Sequence, residues 1–333
     1  MKNIGILTSG GDAPGMNAAI HSIVLAATAN EINCFGFERG FNGVLDNNYR
    51  QLNEYTVKHI SHLGGTILKT ARCERMLKTE YQQIAASNLS ALNLDGMIII
   101  GGDGSFRGAL AIASYFQAPI IGIPATIDND IDGCDETLGF QTAVQTATDA
   151  IDKIRDTADA LERIFIVEVM GRKSGFIALH AGTACEAEQI IYPEMKLTLD
   201  NALPLITQDI NAYVKHMGRN SYIIVMAENS IANIKASTLA KLVEEKVGIE
   251  CREITLGHIQ RGGKANSQDR IYATKLGYFA VQALLEGKAN IMVGLQRGAL
   301  TTIPLCSTVE HMKPLDSVLQ AVLLSHEYQP LAY

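Results

Sequence analysis

No run in this sequence approaches the roughly 20 consecutive apolar residues that a membrane-spanning helix needs. The longest candidates, Met97–Ile100 and Pro119–Ile123, are strand-sized and set off by glycine. Cations are not in excess either. The 28 Lys and Arg stand against 35 Asp and Glu, a net charge of −7, which argues against a nucleic-acid backbone as partner because that needs a basic face. A few local arginines can still hold a small phosphate inside an acidic protein. None of the six cysteines (Cys34, Cys73, Cys134, Cys185, Cys251, Cys306) belongs to a CxxC. Their spacing fits no zinc pattern, so free thiols in a reducing cytoplasm are expected. Low-complexity tracts are absent. The opening MKNIGILTSGGD has one lysine before a short apolar run, which reads as a buried strand and not as a signal peptide. Two nucleotide signatures are also missing. There is no G-x-G-x-x-G, which disfavours a dehydrogenase, and no Walker A, of which GTILKT (65–70) and GRKS (171–174) supply only parts.

What remains is rich in core-forming residues. With 333 residues, 47% hydrophobic and 19% charged, the chain fits two domains or one large α/β unit. Expected strands are Ile4–Thr8, Asn33–Phe37, Asp95–Ile100, Pro119–Ile123, Ile164–Val169, Tyr222–Met226, Cys251–Leu256 and Ile291–Val293. Between them lie amphipathic stretches. The clearest runs from Gln141 to Leu161, where Val144, Ala147, Ile151 and Ile154 step by three or four residues. Apolar strands separated by helices predict a doubly wound α/β fold with parallel sheets. No Pro/Ser linker divides the chain, so two domains must be closely packed or interleaved, and the helix from near Phe140 is the candidate crossing. Ligands in such sheets collect at the carboxyl ends of strands.

The motifs fall at those ends. The first strand runs into Ser9-Gly10-Gly11-Asp12-Ala13-Pro14-Gly15 ahead of a helical pattern from Met16; glycines admit close approach, proline suits a first helical turn, and free N–H groups favour an anion. Met97–Ile100 leads into Gly101-Gly102-Asp103-Gly104-Ser105. There a carboxylate beside phosphate-binding amides makes sense with Mg²⁺ between them. A further strand ends in Thr126-Ile127-Asp128-Asn129-Asp130. In an extended segment Asp128 and Asp130 face the same side and can share the work of accepting a proton and orienting a hydroxyl. Arg172 follows another strand, and Arg252, His258 and Arg261 cluster beside glycines, a set suited to phosphate oxygens. Taken singly, each is also an ordinary turn or a surface charge. Arg72 has no placement from chemistry alone.

Together, SGGDAPGMNAAI, IIIGGDGS, TIDNDI, VEVMGR and LGHIQRGG resemble, in order and approximate spacing, the bacterial ATP-dependent 6-phosphofructokinases, over nearly the whole chain. The resemblance implies the phosphofructokinase fold, an α/β architecture of two Rossmann-like lobes with mainly parallel sheets. Residues 1–139 with about 258–308 would form the nucleotide-binding lobe, and 140–257 with about 309–333 the sugar-phosphate-binding lobe. It implies that Asp128 is the base for the sugar 1-hydroxyl, assisted by Asp130 and Thr126. Asp103 would hold Mg²⁺ on the nucleotide phosphates, with Gly11, Arg72, Cys73, Gly102, Gly104 and Ser105 on the ATP side. Arg172 would stabilise the transferring phosphoryl group. Met170, Gly171, Glu228, His258 and Arg261 would contact fructose 6-phosphate, with Arg163 and Arg252 supplied by a neighbouring subunit of a cytoplasmic homotetramer.

Several positions depart from the family pattern. Pyrophosphate-using relatives typically carry aspartate at position 104 and lysine at 125; Gly104 and Ala125 here favour ATP. Glycine is usual at 125 in the ATP enzymes, so the Ala125 methyl is expected to tighten the phosphate pocket. Phe41 and Cys73 replace aromatics common beside the nucleotide. At the family's effector site Arg155 and Glu186 persist, but His21, Leu25 and Glu54 stand where arginines are usual. A weak, absent or redirected response to ADP or phosphoenolpyruvate is expected. The alternatives are a pyrophosphate-dependent phosphofructokinase and a non-catalytic sensor of the same fold.

Overall fold

The computed structural model describes residues 1–326. Among them the strands are β1 (Asn3–Ser9), β2 (Asn33–Phe37), β3 (Tyr49–Leu52), β4 (Gly96–Gly101), β5 (Ile120–Pro124), β6 (Ile164–Val169), β7 (Gln189–Ile191), β8 (Tyr222–Ala227), β9 (Cys251–Thr255), β10 (Ile291–Gln296) and β11 (Ala299–Pro304). The helices are α1 (Met16–Thr28), α2 (Phe41–Leu45), α3 (Thr79–Ala91), α4 (Asp103–Ala113), α5 (Phe140–Leu161), α6 (Phe176–Ala184), α7 (Leu199–Met217), α8 (Ala236–Val247), α9 (Ser267–Leu285) and α10 (Ser317–His326). None of these helices is long and apolar enough to cross a membrane. All six cysteines are free thiols.

The chain divides into two compact units: Met1–Thr142 with Arg261–Lys313, and Ala143–Gln260 with the segment from Pro314. The tail assigned above to a second lobe includes residues 327–333, which lie outside the described residues.

The first unit is built on a seven-stranded sheet in the order β11-β10-β5-β4-β1-β2-β3. Strands β1, β4 and β5 pair in parallel, and from Ile4 onward their residues are buried. An apolar run of this kind is stable only when both faces are covered. Leu7, Met97 and Ile99 pack with Phe106 of α4 and Leu89 of α3 in one core cluster, and α1 lies against α9. Because β1 leads outward to β2 while β4 leads outward to β5, the strand order reverses between β1 and β4. Their carboxyl ends therefore open a crevice.

The second unit carries a four-stranded parallel sheet, β7-β8-β6-β9. Ile164 and Ile166 of β6 pack with Ile206 and Ile210 of α7 and Leu239 and Val243 of α8.

Three strands differ from expectation. β3 is polar and mostly exposed, and β7 has only three residues. β11 returns on β10 through Arg297 and Gly298, both at positive φ. β3 and β11 are also the antiparallel edges of an otherwise parallel sheet. Pro14 precedes the Gly15 N-cap of α1, so it does not occupy the first helical turn.

Candidate active-site residues

In the first unit, the carboxyl ends of three neighbouring strands bring together residues far apart in sequence. β4 ends at Gly101, where glycine is required by contact: a Cβ there would lie 2.4 Å from Ser105 Oγ and 2.6 Å from the Ser9 carbonyl. Ser105 is buried in the first turn of α4. Its Oγ has no hydrogen-bond partner among the described residues, a costly state for a hydroxyl unless a ligand completes it. The free N–H groups at the start of α4 favour an anion. Asp103 opens that helix, with Arg107 3.9 Å away one turn on. Gly104 faces open space, since a Cβ would meet nothing within 4 Å.

β5 delivers the acidic loop. Asp128 is 5% exposed, and its N–H donates to Thr126 Oγ1 at 3.2 Å. The extended segment expected for Asp128 and Asp130 is absent. A turn at Ile127–Asp128 is followed by Asn129 at φ 52, so strand alternation does not put the two carboxylates on one side. Asn129 and Thr137 close the loop: Thr137 N–H donates to Asn129 Oδ1 at 3.1 Å, and Thr137 Oγ1 to the Thr126 carbonyl at 2.6 Å. Neither was singled out from sequence, although an Asn between two aspartates was a turn signal.

Arg261 reaches the same place. Its Nη1 donates to the Asp12 carbonyl at 3.2 Å and its Nη2 lies 4.0 Å from Asp128 Oδ1. Gly11 makes room, because a Cβ there would come within 2.7 Å of Nη1. Thr70 Oγ1 donates to the Gly10 carbonyl at 2.9 Å. Gly10, Gly11, Gly102, Asp103, Ser105, Thr126, Asp128 and Arg261 thus gather at one sheet edge. Arg72 is exposed nearby in sequence, its carbonyl accepting from Asn42 Nδ2 at 3.3 Å, and Cys73 is partly buried.

Two positions that depart from the family pattern are buried. Ala125 is 1% exposed and bridges Leu138, so its methyl does not line an open pocket. Phe41 is buried in the core cluster against Gly108.

In the second unit, β6 leads into Met170, Gly171 and Arg172, and β8 into Glu228. One oxygen of Glu228 accepts from Gly171 N–H at 3.3 Å and Arg172 N–H at 2.8 Å. This carboxylate holds a turn in which Gly171 has φ 151 and Arg172 has φ 58. Asn229 Nδ2 donates to the Arg172 carbonyl at 3.0 Å, and Gln260 Oε1 accepts from Met170 N–H at 3.2 Å. His258 is exposed in the short helical turn after β9.

Arg163 and Arg252 are not part of this cluster. Arg163 precedes β6 and Arg252 is the second residue of β9. Both pair with Glu250, Arg163 at 2.6 Å. The six residues of β6 separate this amino edge from Gly171, about 20 Å at ~3.3 Å per residue. Arg155 is likewise occupied: it pairs with Glu188 at 2.5 Å and donates to the Glu186 carbonyl at 3.0 Å.

Glycine-lined strand ends, a helix N-terminus over a buried hydroxyl, and a buried acid beside an arginine define an α/β protein equipped to handle phosphate groups. The phosphofructokinase family model matches residues 3–284, and the chain belongs to the phosphofructokinase family. It is 42% identical over 323 residues to ATP-dependent 6-phosphofructokinase 2 of Bacteroides thetaiotaomicron, covering 97% of this chain and 98% of that protein. It is 44% identical over 319 residues to ATP-dependent 6-phosphofructokinase 1 of Thermus thermophilus, covering 96% and 97%. Among solved structures, phosphofructokinase from Saccharomyces cerevisiae superposes with a TM-score of 0.86 at 32% identity; the match covers 98% of this chain and 46% of the yeast chain. The pyrophosphate-dependent phosphofructokinase from Marinobacter aquaeolei shares the fold, with a TM-score of 0.85 at 19% identity, covering 98% of this chain and 92% of that one.

Proposed function

We propose that this chain is an ATP-dependent 6-phosphofructokinase, transferring the γ-phosphoryl group of ATP to the 1-hydroxyl of fructose 6-phosphate in glycolysis. The observation that carries this reading is the gathering of Gly11, Asp103, Ser105, Asp128 and Arg261 at the carboxyl ends of β1, β4 and β5. The relatives with 42% and 44% identity bear the same activity in their names.

Asp128 is the base. A carboxylate at 5% exposure with the Arg261 guanidinium 4.0 Å away can take the hydroxyl proton as the oxygen attacks phosphorus. Thr126 orients the Asp128 backbone, and Asp130 assists. Gly11, Gly102, Gly104, Ser105, Arg72 and Cys73 line the nucleotide side. The α4 N–H groups and the Ser105 hydroxyl bind phosphate oxygens. Arg172 meets charge on the transferring group, and Met170, Gly171, Glu228, His258 and Arg261 hold the sugar phosphate. Transfer of this kind depends mostly on positioning and charge neutralisation.

The residues fit Mg²⁺ carried in with ATP. No group of three or more acidic, His or Cys side chains among the described residues forms a protein cage for a metal. Asp103, at the start of α4, would hold the ion, since Mg²⁺ bound together with substrate phosphates calls for few protein carboxylates. When bound, it supplies charge neutralisation to the phosphate oxygens.

ATP is favoured over pyrophosphate because the space before Gly104 is open and position 125 carries alanine, with no cation to stand in for nucleotide contacts. A homotetramer with sites shared between subunits is supported by the placement of Arg163 and Arg252, too far along their own sheet to reach their own chain's Gly171–Glu228 cluster. A weak response to ADP is supported by the engagement of Arg155 with Glu188. The functional reading is tested by offering ATP or pyrophosphate with fructose 6-phosphate and Mg²⁺. Turnover with ATP is expected. Turnover with pyrophosphate alone would make the enzyme the pyrophosphate type, and binding without turnover would make it a sensor.

A further inference from the structure

The loop that carries Asp128 is held by a residue from the far end of the unit. The loop closes on itself at its base, where Ala125 bridges Leu138 and the Leu138 N–H donates to the Pro124 carbonyl at 2.9 Å. Inside it, Asn129 is 2% exposed with φ 52. Asparagine adopts that backbone more readily than most residues with a Cβ, and its surroundings fix it there. Those surroundings include Met312, which bridges Ile131, and Lys313, whose N–H reaches the Asp130 carbonyl at 3.4 Å. Lys313 Nζ then donates to Asn129 Oδ1 at 3.0 Å and to the Asp135 carbonyl. The Asn129 side-chain oxygen is thus gripped from two directions, by Thr137 within the loop and by Lys313 outside it.

We propose that Lys313 is a positioning residue for phosphoryl transfer, fixing Asn129 and through it the placement of the adjacent Asp128. The proposal rests on Asp128 being the base. Simple loop closure does not call for a lysine here. The Met312–Ile131 bridge would remain with an apolar residue at 313, and partly burying an ammonium carries a desolvation cost that apolar packing avoids. That burial also pulls the Lys313 pKa below its ordinary value. What lysine provides is a set of donors at the end of a long stem, able to satisfy an amide oxygen and a backbone carbonyl at once. The backbone that sets Asp128 is therefore tied to the segment at the end of this unit.

The test compares wild type with Lys313→Met, Lys313→Gln and Lys313→Arg in the full chain, using MgATP and fructose 6-phosphate. A misplacement on the scale of an ångström costs about a hundredfold in rate, so Lys313→Met is expected to lower kcat by about ten- to hundredfold while moving both KM values by less than about threefold. Lys313→Arg, which keeps donors in nearly the same place, should recover most of kcat. A purely structural role predicts the opposite split: a lower Tm with wild-type kcat per folded enzyme. That result overturns the proposal. If Lys313→Met does not fold, Lys313→Gln and Lys313→Arg decide it, since wild-type kcat in both removes the need for the ammonium. Wild-type turnover in the same assay separates the two readings: without it the functional assignment fails, and with it only the role of Lys313 is at stake.

Discussion

Replacing Glu228 with alanine should cost turnover through Arg172. In the native turn Arg172 sits at φ 58, a left-handed conformation that costs a residue with a Cβ about 1–2 kcal/mol. Two N–H bonds to one Glu228 oxygen, at 3.3 and 2.8 Å, offset it. Hydrogen bonds to a charged group contribute about 1.5–3 kcal/mol when water is excluded. Glu228 is partly exposed, so about 1 kcal/mol each is the better figure. Removing about 2 kcal/mol leaves strain and stabilisation no longer balanced, and the turn should hold Arg172 in place only a few per cent to a tenth of the time. Glu228→Ala is then expected to lower kcat by about ten- to thirtyfold. Glu228→Gln keeps an acceptor oxygen of about half the strength, so a loss of about three- to fivefold is expected. Steady-state rates at saturating MgATP, with fructose 6-phosphate varied, give kcat and KM separately. Because Glu228 acts on kcat through Arg172, the double variant Glu228→Ala/Arg172→Ala should have the kcat of Arg172→Ala alone. If the two kcat losses multiply as independent effects, or if Glu228→Ala leaves kcat intact, the reasoning is wrong.

Three other outcomes are expected. Asp128→Ala should lower kcat by about 10²–10⁴-fold with substrate binding largely kept, as for loss of a general base; near-native kcat would refute the assignment. Gly11→Ala should leave Tm almost unchanged, since residue 11 is exposed, while displacing the Arg261 guanidinium and raising the KM for fructose 6-phosphate by about tenfold, the equivalent of one weakened bond to a charged donor. An unchanged KM would mean that Arg261 binds elsewhere. Burial, followed by the charge of His59, lowers the pKa of His21 below its ordinary 6.5. The unfolded chain then binds that proton more readily, so the His21 contribution is complete above pH 6.5 and is lost as the pH falls below it. Thermal melts at about pH 7.5 and about pH 5.5 should differ less in His21→Gln than in wild type; equal differences would rule this cause out.

Much of this protein was legible in order along the chain. The runs that became β1, β2, β4, β5, β6, β8 and β9, all but β9 mainly apolar, were expected within a residue or two. The helix expected from Gln141 begins at Phe140. These are local properties: a both-faces-buried strand and a 3.6-residue stripe announce themselves within ten or twenty residues. β3 gave no such signal because YRQL is polar and lies at a sheet edge. β7 is too short for a period, and β11 depended on reading Arg297-Gly298 as a hairpin turn. The strand alternation expected at Asp128 and Asp130 failed for a related reason, because one left-handed residue, Asn129, breaks it.

By itself the sequence determined the fold class, the glycine-rich strand ends and the family, since each is written in short segments whose order survives without coordinates. Tertiary structure alone decided which distant residues meet. Arg261 lies over Gly11 beside Asp128, Arg163 and Arg252 share Glu250 at the far edge of their sheet, and Lys313 holds Asn129 across 184 residues of chain. Contacts of that span follow from strand order and from the paths of loops, which no local pattern of side chains encodes.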